Sequence, residues 1–125
     1  MSAAEHKAAA QAAYQAFAAG DLDGAMRDLA DDIEWIVPGK STVSGTYRGK
    51  DEVAGFFAKL SSKSFRTEPE HFLADGDHVV VLTRTTSEGD VSADQADVLT
   101  FRGGKVVKFQ SAADTALLEA VWGTR

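Results

Sequence analysis

The chain contains no cysteine, which excludes disulfides, thiolate nucleophiles and Cys-based metal sites. It has two prolines, and no apolar run approaches the ~20 residues that cross a bilayer as a helix. Lys and Arg never cluster, and the net charge is −6 with a pI near 4.9. Such a surface repels phosphate backbones, so neither nucleic acid nor a membrane is expected as a partner. The opening Met1-Ser-Ala-Ala-Glu-His-Lys7 lacks a basic segment followed by an apolar one, so a cytoplasmic protein without a secretory leader is expected. No glycine-rich phosphate loop, no Gly-x-Ser-x-Gly elbow and no Ser/His/Asp order is present, which disfavours nucleotide cofactors and acyl-enzyme chemistry. No His/Asp/Glu group has ligand spacing, so the expectation is no metal and no cofactor.

What is present suits one soluble domain over residues 1–125, because 44% apolar and 26% charged residues are ordinary for a globular core and its surface. Residues 3–19 are Ala-rich, predicting a helix with Ala8, Ala12 and Phe17 on its apolar stripe and Gly20 as its stop. Asp21 reads as the N-cap of a short helix over 22–29, with Ala25, Met26 and Leu29 on its buried side. Asp31-Asp32 separates this from a β-rich run, Ile33 to Val37, which ends at the turn signal Pro38-Gly39. Residues 39–49 read as a loop with a short strand near Thr46–Tyr47. Val53, Phe56, Phe57 and Leu60 then recur at helical spacing over 50–60, with Asp51 and Glu52 in the first turn where the helix dipole favours them.

The remainder is β. Strands are predicted over 65–73, 78–86, 92–101 and 105–113, with turns at Asp75-Gly76-Asp77, Gly89-Asp90 and Gly103-Gly104. Pro69 marks an edge or a bulge. Asp114 is placed to cap a short final helix. Helices followed by hairpins define an α+β fold, a curved antiparallel sheet packed on about three N-terminal and central helices. Such a sheet makes a cone whose interior is the default pocket.

Five stretches stand out together: Ala19-Gly-Asp-Leu-Asp-Gly24, Ala30-Asp-Asp32, Trp35 with Pro38-Gly39, Tyr47-Arg-Gly-Lys-Asp-Glu-Val53, and Gly104-Lys-Val-Val107 followed by Asp114. They resemble the SnoaL-like, ketosteroid-isomerase-like family of the nuclear transport factor two superfamily. The resemblance covers nearly the whole chain and implies a cone-shaped α+β barrel, often dimeric, with a deep apolar pocket. Polyketide cyclases, scytalone dehydratase and limonene-epoxide hydrolase share the frame, so fold alone does not name an activity. Ketosteroid isomerases carry a proton-abstracting Asp just before the proline equivalent to Pro38. Here that residue is Val37, which counts against steroid isomerisation. The family's second acid, which donates to a developing enolate, corresponds to Asp97. Its Tyr donor on the first helix falls one residue from Tyr14, a step that turns a side chain by about 100°.

Asp97 is the main chemical clue in the residues themselves. In Gln95-Ala-Asp-Val-Leu-Thr-Phe101 it shares a strand face with Leu99 and Phe101, and a carboxylate there must be paired, protonated or used. It is either an acid-base or polarising group or a buried acid satisfied structurally. Gln95 is in phase with it and could offer an amide to a ligand. Arg84, in phase with Val80 and Leu82, either enters the pocket and pairs with Asp97, as in an epoxide-hydrolase-like site, or faces solvent. Tyr14, Trp35 and Val37, with Leu82, Leu99, Val107, Phe109 and Ser111, complete the expected lining, against plain core packing for the aromatics. His71, in phase with Leu73, could act as a base, although a lone strand histidine is more often structural.

The expected function is binding of a small apolar molecule, with cofactor-free isomerase, cyclase or dehydratase chemistry centred on Asp97 and supported by Tyr14. A non-catalytic carrier or dimeric interaction module is the alternative, and hydrolysis by Arg84 with Asp97 a second enzymatic one. A homodimer through the sheet is expected.

Overall fold

The computed structural model describes residues 2–63, 65–87 and 91–125. Helix α1 (Ala3–Ala18) leads into α2 (Leu22–Met26), β1 (Leu29–Val37), β2 (Gly45–Arg48) and α3 (Gly49–Ser61). Four long strands follow, β3 (Arg66–Asp75), β4 (His78–Ser87), β5 (Val91–Arg102) and β6 (Lys105–Ala112), before α4 (Thr115–Trp122). They form one curved six-stranded sheet in the order β2-β1-β6-β5-β4-β3. All neighbours pair antiparallel except β1 and β6, which run parallel. That one pair departs from the all-antiparallel expectation and arises because β6 returns alongside β1 from the far end of the chain.

The caps at Asp21 and Asp114 are the expected ones, and α1 has a further one. Ser2 and Glu5 form a capping box on α1, which satisfies backbone donors that the first turn leaves free. The Asp21 carboxylate accepts from Gly24 N–H, and the Asp114 carboxylate accepts from Leu117 N–H at 3.0 Å. Gly76 turns β3 into β4 with φ of +57°, a left-handed conformation that side chains disfavour. The expected Gly89-Asp90 turn lies outside the described residues. The pairing of β3 with β4 shifts register between Pro69 and His71, so proline occupies a bulge on an edge strand, where its missing N–H is tolerated.

The buried stripe of α1 is not the expected one. Ala8 and Ala12 are exposed, whereas His6 and Ala10 are buried, with Tyr14 and Phe17 packed against the core. In a segment so rich in alanine every face reads as apolar, and the large residues decide the orientation. Helix α1 packs on β3 and β4, and α3 packs on β1 and β2. Both therefore cover the same inner face of the sheet. Asp31 and Asp32, expected between elements, lie within β1 as exposed strand residues.

Strand phase settles which side chains face inward. On β4, Val79, Val81, Thr83 and Thr85 are buried, while Leu82 and Arg84 are exposed. On β5, Asp97, Leu99 and Phe101 are buried. A bulge between Thr100 and Phe101, opposite Lys108 and Val106, leaves Val107 as the extra residue. That irregularity lets Val106 and Phe109, three residues apart, both face the interior. Among the described residues no helix is long and apolar enough to cross a membrane.

Candidate functional site

The inner face of the sheet and the covering helices line a largely apolar cavity of about 100 Å³. One water needs only about 10–15 Å³, so the space suits a compact organic molecule. Its walls come from elements far apart in sequence. The small Ala9 and Ala13 of α1 leave room where larger residues would fill it, and Phe56 and Phe57 of α3 add aromatic wall. Trp35 and Phe109 are direct partners across the parallel β1–β6 pair, so their rings stack with centroids 3.6 Å apart at 7°. Phe57 meets the Trp35 ring edge-on at 5.1 Å. This cluster makes a rigid aromatic wall.

Asp97 lies on the cavity with 2% of its surface exposed. The Tyr14 hydroxyl donates to its Oδ2 at 2.5 Å, and Gln95 Nε2 donates to its Oδ1 at 2.7 Å. The Gln95 amide is itself oriented, because the Thr85 hydroxyl donates to Gln95 Oε1 at 3.1 Å and leaves the NH2 end toward the carboxylate. Ser111 is paired with Asp97 across β5 and β6 and sets its hydroxyl on the same cavity.

Burial disfavours the charged carboxylate and raises the Asp97 pKa from 3.8 to about 6, while bonds from Tyr14 and Gln95 hold it down from a higher value. Asp97 is therefore mostly ionised at pH 7 and titrates within reach of it. Burial also raises the Tyr14 pKa well above 10, and the Asp97 charge and the shared hydrogen bond push it in the same direction. The phenolic proton thus remains on Tyr14. The arrangement can accept a proton at Asp97 near neutral pH and hold the anion against donors that do not ionise.

The structure brings together most of the residues expected from sequence. Asp97, Tyr14, Gln95, Trp35 and Val37 line the cavity, as do Leu99, Phe109 and Ser111. Three expectations need correction. Arg84 does not meet Asp97: it lies on the outer face of β4, where it pairs with Asp94 at 3.1 Å and donates to Ser92 at 3.1 Å. Leu82, in phase with Arg84, is 39% exposed on that face. Val107 is turned out of the cavity by the β5–β6 bulge. For β4, alternation identified the two faces but not which was concave. The more uniformly apolar set, Val79 and Val81 with two threonines, is the buried one.

Among lining residues not expected from the sequence, Phe56 and Phe57 carry a visible signal, since their helical spacing sets them on the apolar face of α3. Thr67 and Asp28 had none. Asp28 is partly exposed, with Lys105 Nζ 4.0 Å away. His71 is exposed on β3. His6 is 2% exposed, stacks on Phe101 at 4.4 Å and donates from Nδ1 to the Gly76 carbonyl at 2.9 Å. These contacts give it a structural role, tying α1 to the β3–β4 turn. Asp114 is an exposed cap away from the cavity lining. Among the described residues no three His, Asp or Glu side chains converge as metal ligands.

Comparison with known proteins places this geometry. The model of the SnoaL-like domain matches residues 10–109. An uncharacterized protein of Mycobacterium tuberculosis is 31% identical over 117 residues, covering 87% of this chain and 89% of the relative. An NTF2-like protein of unknown function from Burkholderia pseudomallei superposes with a TM-score of 0.82 at 29% identity, covering 94% of this chain and 97% of that one. TerC, co-crystallized with polyporic acid, superposes with a TM-score of 0.79 at 26% identity, over 93% of this chain and 96% of that one.

Proposed function

This chain belongs to the SnoaL-like domain family, and we propose that it binds a compact, largely apolar molecule in the cavity and that Asp97 serves there as a general base. The observation that carries this reading is the carboxylate itself. It is 2% exposed in an apolar cavity, bonded by Tyr14 and Gln95, with a pKa of about 6. A base poised near the working pH combines the correct protonation state with a useful driving force. Having taken a proton, Asp97 could return it at another position, as an isomerase requires, or leave it there during an elimination or a ring closure. None of these needs a cofactor. TerC's co-crystallization with polyporic acid supports a ligand-holding role for this frame.

A non-catalytic carrier is the second reading, favoured by Val37, an apolar cavity residue where the ketosteroid isomerases have their base. Hydrolysis by Arg84 with Asp97 is withdrawn, since the two side chains lie on opposite faces of the sheet. The same proposal includes self-association through the outer sheet face. There Leu73 is 54% and Leu82 39% exposed, and the register sets Leu73, Val80 and Val98 side by side.

The test is solvent exchange. Ligands found by quenching of Trp35 fluorescence are incubated in D2O, and deuterium incorporation is followed by NMR. Asp97→Asn should keep the ligand bound and lose exchange by at least about 100-fold. Binding with no exchange in the parent protein supports the carrier. Absence of any saturable binding from a broad panel of small apolar compounds rejects both readings.

A further inference from the structure

The hydrogen-bonding capacity left over around Asp97 specifies what kind of polar group a ligand must bring. Of the donors at the site, the Tyr14 hydroxyl is committed to Asp97 Oδ2 and one Gln95 N–H to Asp97 Oδ1. Ser111, opposite Asp97 across β5 and β6, also lines the cavity, and its hydroxyl can donate or accept. Thr85 fixes the Gln95 amide, so it cannot turn its oxygen toward the cavity without giving up that bond. Two further capacities discriminate between ligand groups. One is the residual lone-pair capacity of the carboxylate, which accepts at up to about four positions. The other is the second N–H of Gln95, two residues along the same strand face. Thr67, the other hydroxyl of the lining, can donate or accept and does not discriminate.

Resting on the proposed binding of an apolar molecule in this cavity, we infer that the ligand's polar group is a neutral hydroxyl, which donates to Asp97 and accepts from Gln95. A hydroxyl carries one donor and two acceptor positions and so satisfies both vacant partners at once. A ketone can accept from Gln95 but sets its own lone pairs against the carboxylate and leaves that oxygen unmatched. A carboxylate ligand adds a second anion to a cavity whose charged lining residues are Asp28 and Asp97. Among the described residues no Lys, Arg or His lines it. An ammonium can donate to Asp97 but cannot accept from Gln95, and it must leave water for a largely apolar space. This preference is opposite to that of a site built around a carbonyl, because the Tyr14 donor such a site would use is already spent on Asp97. The hydroxyl would also place its own proton on the base proposed above.

The experiment measures dissociation constants by calorimetry at pH 8 for indane, 2-indanol, 2-indanone, 2-aminoindane and indane-2-carboxylate, which share one ring body. The expected result is 2-indanol tightest, by at least about tenfold over 2-indanone, the factor set by one hydrogen bond to a charged acceptor. In Asp97→Asn the alcohol-to-ketone ratio should collapse toward one, because the amide supplies a donor. In Tyr14→Phe, which keeps the carboxylate, the ratio should persist. A ketone that binds as tightly as the alcohol overturns the inference, as does an amine that binds more tightly. Equal binding of indane and 2-indanol overturns it as well, while leaving apolar binding standing. If no member of the series binds, indane included, the cavity-binding reading fails and this inference with it.

Discussion

At neutral pH Asp97 carries a charge that its surroundings oppose, and its stability signature follows from that. The ordinary pKa of 3.8 rises to about 6 in the folded protein, so between those values the native state binds more protons than the unfolded chain. Stability contributed by this group therefore falls as pH rises from 4 to 6 and is regained on acidification. The cost of the ionised form is on the order of 2–3 kcal/mol. Thermal or urea unfolding of the parent protein and of Asp97→Asn between pH 4 and 8 checks this. The Asp97→Asn variant should be the more stable protein at pH 8, with the difference shrinking toward pH 4. A difference independent of pH would count against a titrating, buried Asp97. Tyr14→Phe removes a donor to the anion and should destabilise by roughly 1–3 kcal/mol at pH 8, and by less at pH 4, where Asp97 is protonated.

At the scale of elements, strand phase separates residues that touch the cavity from those that merely neighbour it. Arg84 and Asp94 form an exposed pair, with half of the Arg84 side chain and most of Asp94 in solvent. Such pairs contribute little, so Arg84→Ala should change unfolding free energy by no more than about 1 kcal/mol and leave ligand affinity unaltered. A loss of binding in that variant would return Arg84 to the site. Helix α4 places Leu118 on the cavity wall, and its N-terminus depends on the Asp114 cap. Asp114→Ala should lower stability by about 1 kcal/mol in chemical denaturation.

Most element boundaries were legible because caps, glycine turns and periodicity are local signals: Ser2 apart, each of Asp21, Gly20, Gly76, Gly103 and Asp114 was readable in place, whereas Leu29, expected on the second helix, opens β1. The α1 stripe, the bulge at Val107 and the inner face of β4 were not. An alanine-rich helix has no apolar contrast to orient it, a bulge depends on the partner strand, and β4 carries branched residues on both faces.

At the scale of the whole molecule, the outer sheet face remains the unassigned surface. Leu73, Val80, Leu82 and Val98 form an apolar area on it, and the homodimer proposed through this face predicts that Leu82→Arg converts a dimer to a monomer. Light scattering coupled to size exclusion measures this directly. A parent protein that is monomeric at high micromolar concentration ends that proposal.

Sequence alone was sufficient for the α+β class, nearly every element, the family and the burial of Asp97, because each depends on local spacing or on motif. Only tertiary structure decided that Tyr14 would reach Asp97 from 83 residues away, that Trp35 would stack on Phe109 through a parallel pairing, and that Arg84 would point outward. Alternation tells which side chains share a face, but which face is concave depends on the helices that pack against it. The chemistry of the site lies in that second, long-range choice.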